Sequence, residues 1–296
     1  NMLRDTLHTA VISKSFKPFY DTYRGMLKAL RKDEDYVKFI ASGHAFGGSY
    51  TKAEDPEASA KYIKSIIDKE GNEWIGFRKD SIEEYPQNAA SEYRGLPNLV
   101  FGSGDSGAGH PGFDKCTSSL VSDNKIKTVS NSGKWEWTWT FYSDYARLEI
   151  EKVDPGHSYW FLYEGIPGGK YSPHSQYWGT DKGGPNKNIP DYYFNNAEYN
   201  NWQWIYLGEE SVGRVFYILH EQPDQLTDTF SYLGNTSEGV ISPDGMVVFG
   251  FGRDKGAKSL FQDKGQTFVI GFEEMGITSV EDHDRFNSIL KRFLLD

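Results

Sequence analysis

The stretch Lys134-Trp-Glu-Trp-Thr-Trp-Thr-Phe141 decides the fold. Trp135, Trp137, Trp139 and Phe141 recur at every second position, with Lys134, Glu136, Thr138 and Thr140 between them. Successive side chains of a strand point to opposite faces, so this is a β-strand with one aromatic, buried face and one polar face. A register slip of one residue would turn all four rings to water, which ties them to one side of a sheet. Ala146, Leu148 and Ile150 repeat the pattern against Arg147, Glu149 and Glu151.

Working outward, four later runs are apolar at nearly every position: residues 159–163, 215–219, 246–251 and 268–272. Such runs imply strands covered on both faces, as at the centre of a layered sheet structure. The expected fold is mainly β, an antiparallel two-layer β-sandwich of jelly-roll-like form over residues 98–280. Residues 1–97 read as a smaller helical or α/β subdomain. Phe16, Phe19, Tyr20, Tyr23, Met26, Leu27 and Leu30 share one helical stripe. Asp55-Pro-Glu57 has the form of a helix start, with Tyr62, Ile63, Ile66 and Ile67 as its buried face and Gly71 as its end. Residues 281–296 complete a C-terminal helix that packs on the sandwich through Phe286, Ile289, Leu290, Phe293 and Leu294.

The net charge of −10, with no Lys/Arg-rich stripe, argues against nucleic acid or an anionic membrane surface as partner. A mean hydropathy of −0.63 and the lack of a long apolar run argue against membrane insertion. Cys116 is the only cysteine, so the chain holds no internal disulfide. Two short motifs are set aside. Ser42-Gly-His-Ala-Phe-Gly-Gly48 has the outline of a hydrolase nucleophile elbow, but Ala45 stands where the nucleophile belongs. Gly104-Asp-Ser-Gly107 is a four-residue match of the kind that arises by chance.

The positions of polar residues carry more. The apolar runs exit to Glu164, to His220-Glu221, to Gly252-Arg253 and to Glu273-Glu274. A rigid sheet presenting His, Glu and Arg at its strand ends is a common way to build a site. His220, or a tyrosine such as Tyr177 or Tyr232, would serve as a general base, with Arg253 neutralising a carboxylate. Glu164 with Glu221 or Asp224 would form the carboxylate pair of a glycosidase. Residues 165–201 lack periodicity and are rich in Gly, Pro and aromatics, so they read as a long functional loop. Tyr171, Tyr177, Trp178, Tyr192 and Trp202, with Tyr232, are its candidate sugar-stacking residues. His220, Glu221, Asp224 and Asp228 also suit a hard metal ion such as Ca²⁺ or Mn²⁺, and Asp181, Asn186, Asn188 and Asp191 offer a second oxygen-rich option for structural Ca²⁺.

Four strings together resemble a known domain. They are residues 137–141, residues 159–169 (Tyr-Trp-Phe-Leu-Tyr-Glu-Gly-Ile-Pro-Gly-Gly), Leu219-His-Glu-x-x-Asp224 and Val248-Phe-Gly-Phe-Gly-Arg253. The domain is a recurrent β-sandwich of large secreted bacterial proteins, found beside concanavalin-like or fibronectin-type modules. The resemblance covers residues 98–280 and implies extracellular polysaccharide handling, hence a secreted or periplasmic location and a polysaccharide or oligosaccharide partner. The expected function is that of a polysaccharide lyase or glycoside hydrolase; the alternative is a non-catalytic glycan-binding or adhesion module.

Overall fold

A computed structural model describes residues 38–42, 62–68, 70–76, 95–99, 116–130, 132–189, 197–233, 245–254 and 258–294. The described strands begin with β1 (Lys38–Ser42), β2 (Tyr62–Ile67), β3 (Gly95–Asn98), β4 (Cys116–Ser122) and β5 (Lys125–Ser130). They continue with β6 (Glu136–Phe141), β7 (Tyr145–Lys152), β8 (Phe161–Gly165), β9 (Gln176–Thr180), β10 (Gly183–Asn186) and β11 (Ala197–Asn200). The last are β12 (Trp204–Glu209), β13 (Val215–His220), β14 (Thr227–Leu233), β15 (Met246–Phe251) and β16 (Thr267–Glu273), followed by helix α1 (Val280–Leu290).

These strands form two antiparallel sheets, not closed into a barrel. One has seven strands in the order β1-β2-β3-β8-β15-β14-β11; the other has nine, in the order β10-β9-β12-β13-β16-β7-β6-β5-β4. The core lies between them. Trp135, Trp137, Trp139 and Phe141 are at most 4% exposed, as their alternation requires. From the nine-stranded sheet, Phe268, Phe216 and Trp178 meet Phe161, Tyr163 and Phe230 of the other, with ring centroids 4.0, 5.4 and 4.3 Å apart.

The runs apolar on both faces also find their cause. The far side of β12, β13 and β16 buries Trp204, Tyr206, Tyr217, Leu219 and Val269 against Ile277, Phe286 and Leu290. Ser279 caps α1 in a reciprocal box with Asp282, so the helix begins where the pattern predicts. His283 on α1 is buried, bonded to the Tyr206 hydroxyl through Nδ1 (2.9 Å) and to the Asn287 amide through Nε2 (2.9 Å). Asn287 Oδ1 in turn accepts the Trp204 indole N–H at 2.8 Å.

Two sequence expectations are corrected. Residues 62–67 are strand β2, not helix: they pair antiparallel with β1, and Ile63 pairs with Leu96 of β3. Ile63, Ile66 and Ile67 are β-branched residues suited to a pleated surface, and sheet pairing outweighs the local helix-start signal upstream. Gly71 serves a tight turn, at φ 93°, in which its N–H donates to the Asp68 carbonyl. Residues 165–201 are likewise not one structureless loop, since they contain β9, β10 and β11. The expected helix at 15–31 and both short glycine motifs, apart from Ser42, lie outside the described residues.

Candidate functional site

Alternation along the central strands of the seven-stranded sheet sorts their side chains. Phe161 and Tyr163 of β8, Phe249 and Phe251 of β15, and Phe230 and Tyr232 of β14 point into the core. Leu162 and Glu164, Val248 and Gly250, and Thr229 and Ser231 therefore share the outer face. The register sets Thr229, Gly250 and Leu162 in one cross-strand row and Ser231, Val248 and Glu164 in the next.

Arg253 joins this face through a turn. Gly252, at φ 63°, reverses the chain, and the Arg253 side chain folds back over Gly250. A methyl group at Gly250 would lie 2.2 Å from Leu162 Cδ2 and 3.0 Å from both Cβ and Cδ of Arg253, so the absent side chain makes room for Leu162 first and for the arginine beside it. The guanidinium donates from Nη1 to Thr229 Oγ1 at 3.0 Å and lies 5.8 Å from the centroid of the Trp160 ring, within cation–π range. Arg253 and Glu164 thus stand on one face, in adjacent rows about 7 Å apart along the strands. Both are buried, at 9% and 7% exposure. Trp160 and Thr229 were missed as members of this group; Trp160 alternates with Phe161, a signal hidden by the unbroken apolar run.

His220 is placed elsewhere. It ends β13 in the other sheet and points between the layers, stacked on Phe268 (4.9 Å, 20°) with Phe251 and Phe261 around it. Its Nε2 contacts Gln266 Oε1 at 2.8 Å, while Nδ1 is 3.7 Å from Asp224 Oδ2, too far for a hydrogen bond. Burial lowers its pKa below the ordinary histidine value, against smaller opposing effects of Gln266, Asp224 and Glu221. The expected pairing of His220 with Arg253 does not form, because His220 points between the layers while Arg253 lies on the outer face of the seven-stranded sheet. Glu221 is also committed: both its oxygens take the Arg147 guanidinium, at 2.7 and 2.8 Å, on the nine-stranded sheet.

The expected sugar-stacking rings are interior. Trp178 is fully buried on Phe230, Trp202 packs edge-on to Phe251, and Tyr171 and Tyr232 sit in the same core. Tyr177 lies under the segment before α1, where its hydroxyl accepts the Ile277 N–H at 3.0 Å. Burial raises the pKa of Tyr177 and of Tyr232, which makes both poor bases at neutral pH. The sequence placed these rings on a loop because Gly, Pro and Asn surround them, whereas Tyr177 and Trp178 lie in β9 and the connecting residues Tyr171 and Trp202 turn their rings into the core. Tyr192 lies outside the described residues.

Among the described residues, no three His, Cys, Asp or Glu side chains gather to hold a metal ion. Asp224 uses Oδ1 to accept the Leu226 N–H. Asp181 accepts the Gln203 N–H and pairs with Lys182, while Asp191 lies outside the described residues. Asp228 accepts the N–H groups of Trp202 and Gly252, both at 2.7 Å, and so ties two loops to the start of β14.

Burial raises the Asp228 pKa from 3.8 to about 8, with Asp224 and Asp181 adding to the effect and the two backbone N–H groups opposing it. An unfolded aspartate titrates near 3.9, so between about pH 4 and 8 the folded chain holds a proton that the unfolded chain releases. The contribution of Asp228 is therefore complete below about pH 4 and is lost as pH rises to about 8. Thermal unfolding across this range should show the wild type losing stability relative to Asp228→Asn. A constant difference between the two would refute the assignment.

No family model and no curated protein matches the sequence. The crystal structure of HI1317 is similar over 72% of this chain and 85% of its own, at 11% identity and a TM-score of 0.50. A mutant heparan sulfate lyase from Pedobacter heparinus is similar over 83% of this chain and 34% of its own, at 9% identity and a TM-score of 0.45. A Paenibacillus xanthan lyase is similar over 67% and 19%, at 9% identity and a TM-score of 0.41. At these identities the likeness is one of fold, and the lyase names belong to those proteins.

Proposed function

We propose that the protein is an extracellular enzyme acting on an acidic polysaccharide at the outer face of the seven-stranded sheet, by elimination rather than hydrolysis. The observation that carries this reading is the shared face of Glu164 and Arg253, with Trp160 beside the guanidinium. In an elimination, Glu164 takes the proton next to a uronate carboxylate, Arg253 stabilises the charge that develops on that carboxylate, and the bond to the leaving sugar oxygen breaks. That oxygen then takes up a proton.

The glycosidase reading fits less well. Its carboxyl groups must stand about 5–9.5 Å apart. Glu221 is held by Arg147 on the other sheet, and sheets pack about 10 Å apart before the outward displacement of Glu164 is added. The binding-module alternative is weakened too, because Trp178, Trp202, Tyr171 and Tyr232 are interior. The substrate class itself draws support from the resemblance to sandwich domains of large secreted bacterial proteins.

The test is a panel of uronate-containing and neutral polysaccharides, followed both by ultraviolet absorbance of a conjugated product and by new reducing ends. Glu164→Gln should lower the absorbance rate by about 100-fold or more. Arg253→Lys should lower it as well, since an ammonium cannot make a bidentate contact. Reducing ends without absorbance would show hydrolysis. Retention of a glycan with no product would leave a binding module.

A further inference from the structure

We propose that Tyr142 and Tyr145, on the outer face of the nine-stranded sheet, form a second carbohydrate-binding surface that stacks a neutral pyranose unit of a glycan chain. Phe141 and Ala146 point into the core, so Tyr142 and Tyr145, at the hairpin between β6 and β7, face outward. The turn between them is short and fixed, the Tyr142 N–H donating to the Tyr145 carbonyl at 2.9 Å. Their rings stack, with centroids 4.3 Å apart and planes 20° from parallel. Phe293, in the 3-10 turn Lys291–Leu294 after α1, meets Tyr145 edge-on at 4.9 Å. This surface lies on the other sheet from Glu164 and Arg253 and does not depend on their chemistry.

The platform is both anchored and open. Tyr145 and Phe293 pack on the apolar cluster that α1 covers, whereas Tyr142 is 37% exposed, one of five large apolar side chains exposed among the described residues. Tyr145 covers one face of the Tyr142 ring and leaves its far side to solvent. A flat ring held in place by its neighbours loses little freedom when a ligand lands on it. Its apolar face suits the C–H face of a sugar, and its hydroxyl suits the sugar's hydroxyls. Neither phenol makes a hydrogen bond among the described residues.

The charged rim selects the kind of sugar. Asp144, Arg147 and Arg292 are the charged groups that act on Tyr145. Both arginines are already matched: Arg147 by Glu149 at 2.8 Å and Glu221 at 2.7 Å, Arg292 by Glu273 at 3.2 Å and Asp144 at 3.7 Å. Two cations among four carboxylates, on a chain of net charge −10, leave nothing to attract a uronate or a sulfate. A neutral sugar needs no such charge. Its hydroxyls can donate to Asp144 and accept from Arg292, whose side chains are 57% and 49% exposed. A protein partner would need about 800 Å² on each side. One tyrosine face inside a rim of charges is far smaller and matches a single ring of a glycan chain.

Affinity gel electrophoresis of the whole chain tests this, in gels holding a soluble β-glucan, a galactomannan, an arabinoxylan or, as the acidic control, polygalacturonate. At least one of the neutral polysaccharides should retard the wild type. Tyr142→Ala should raise the dissociation constant about five- to tenfold, whereas Tyr142→Phe keeps the ring and should stay close to wild type. Tyr142 is exposed, so both variants should fold, which circular dichroism checks. A wild type retarded by none of the neutral polysaccharides would overturn the proposal. So would retardation by polygalacturonate alone, or a retardation that Tyr142→Ala leaves undiminished.

Discussion

Trp178→Ala should lower folding stability by about 3–5 kcal/mol, the range for truncating a fully buried tryptophan. Trp178 lies in the middle of β9, in register with Leu207 of β12, and its ring stacks on Phe230 of the facing sheet at 4.3 Å and 18°. Removing it takes a bridge out of the core and leaves a cavity that neighbours on two sheets fill only in part. Had the ring stood on a sugar-facing loop, the same change would have left stability intact and weakened glycan binding by about 1–2 kcal/mol, from lost apolar contact alone. Chemical denaturation separates the two outcomes. An unchanged midpoint and slope would contradict the buried placement of β9.

The fold was legible where one period ruled a whole strand. Trp135 to Phe141 and Ala146 to Ile150 alternate, and those faces are buried as the alternation demands. The runs at 215–219 and 268–272 were legible as doubly covered, since α1 packs on their far side. Partner choice among strands was not legible. Periodicity says which side chains share a face, not which sheet a strand joins. β13 and β15 read almost alike, yet one lies in the nine-stranded sheet and the other in the seven-stranded sheet. His220 and Arg253, each following such a run, therefore looked like neighbours. The group around Arg253 depends on Gly250 and Gly252, and the sequence shows neither that one clears space nor that the other reverses the chain. β9 was hidden for a related reason: Gly179 looks like a loop residue, but it makes room for the Tyr206 hydroxyl from the neighbouring strand.

Arg214→Ala should cost about 3 kcal/mol, because it strips the partner from a buried charge rather than a surface one. Arg214 is 2% exposed and precedes β13 directly. Its Nε is 3.8 Å from Asp68 Oδ2 and its Nη2 is 3.0 Å from Glu274 Oε2, with Glu70 as a further partner. Asp68 is equally buried and holds the turn after β2 together, accepting from the Asn72 backbone N–H, the Asn72 amide and the Trp74 indole. Trp74 in turn reaches the sandwich core, 5.0 Å from Phe272, and its carbonyl accepts the Tyr163 hydroxyl. One guanidinium thus fastens this turn to the sheets at a point where the sequence shows only Gly-Arg-Val. The carboxylates differ in weight. Glu70 and Glu274 are half-exposed, at 51% and 48%, so neutralising either should cost less than about 1 kcal/mol. A double-mutant cycle of Arg214→Ala with Asp68→Asn, measured by denaturant unfolding, isolates the buried pair. Strong coupling there, with weak coupling to Glu70 and Glu274, is the expected result. An Arg214→Ala cost no larger than that of the exposed partners would mean that packing by Trp74 alone, not the ion pair, holds the turn in place.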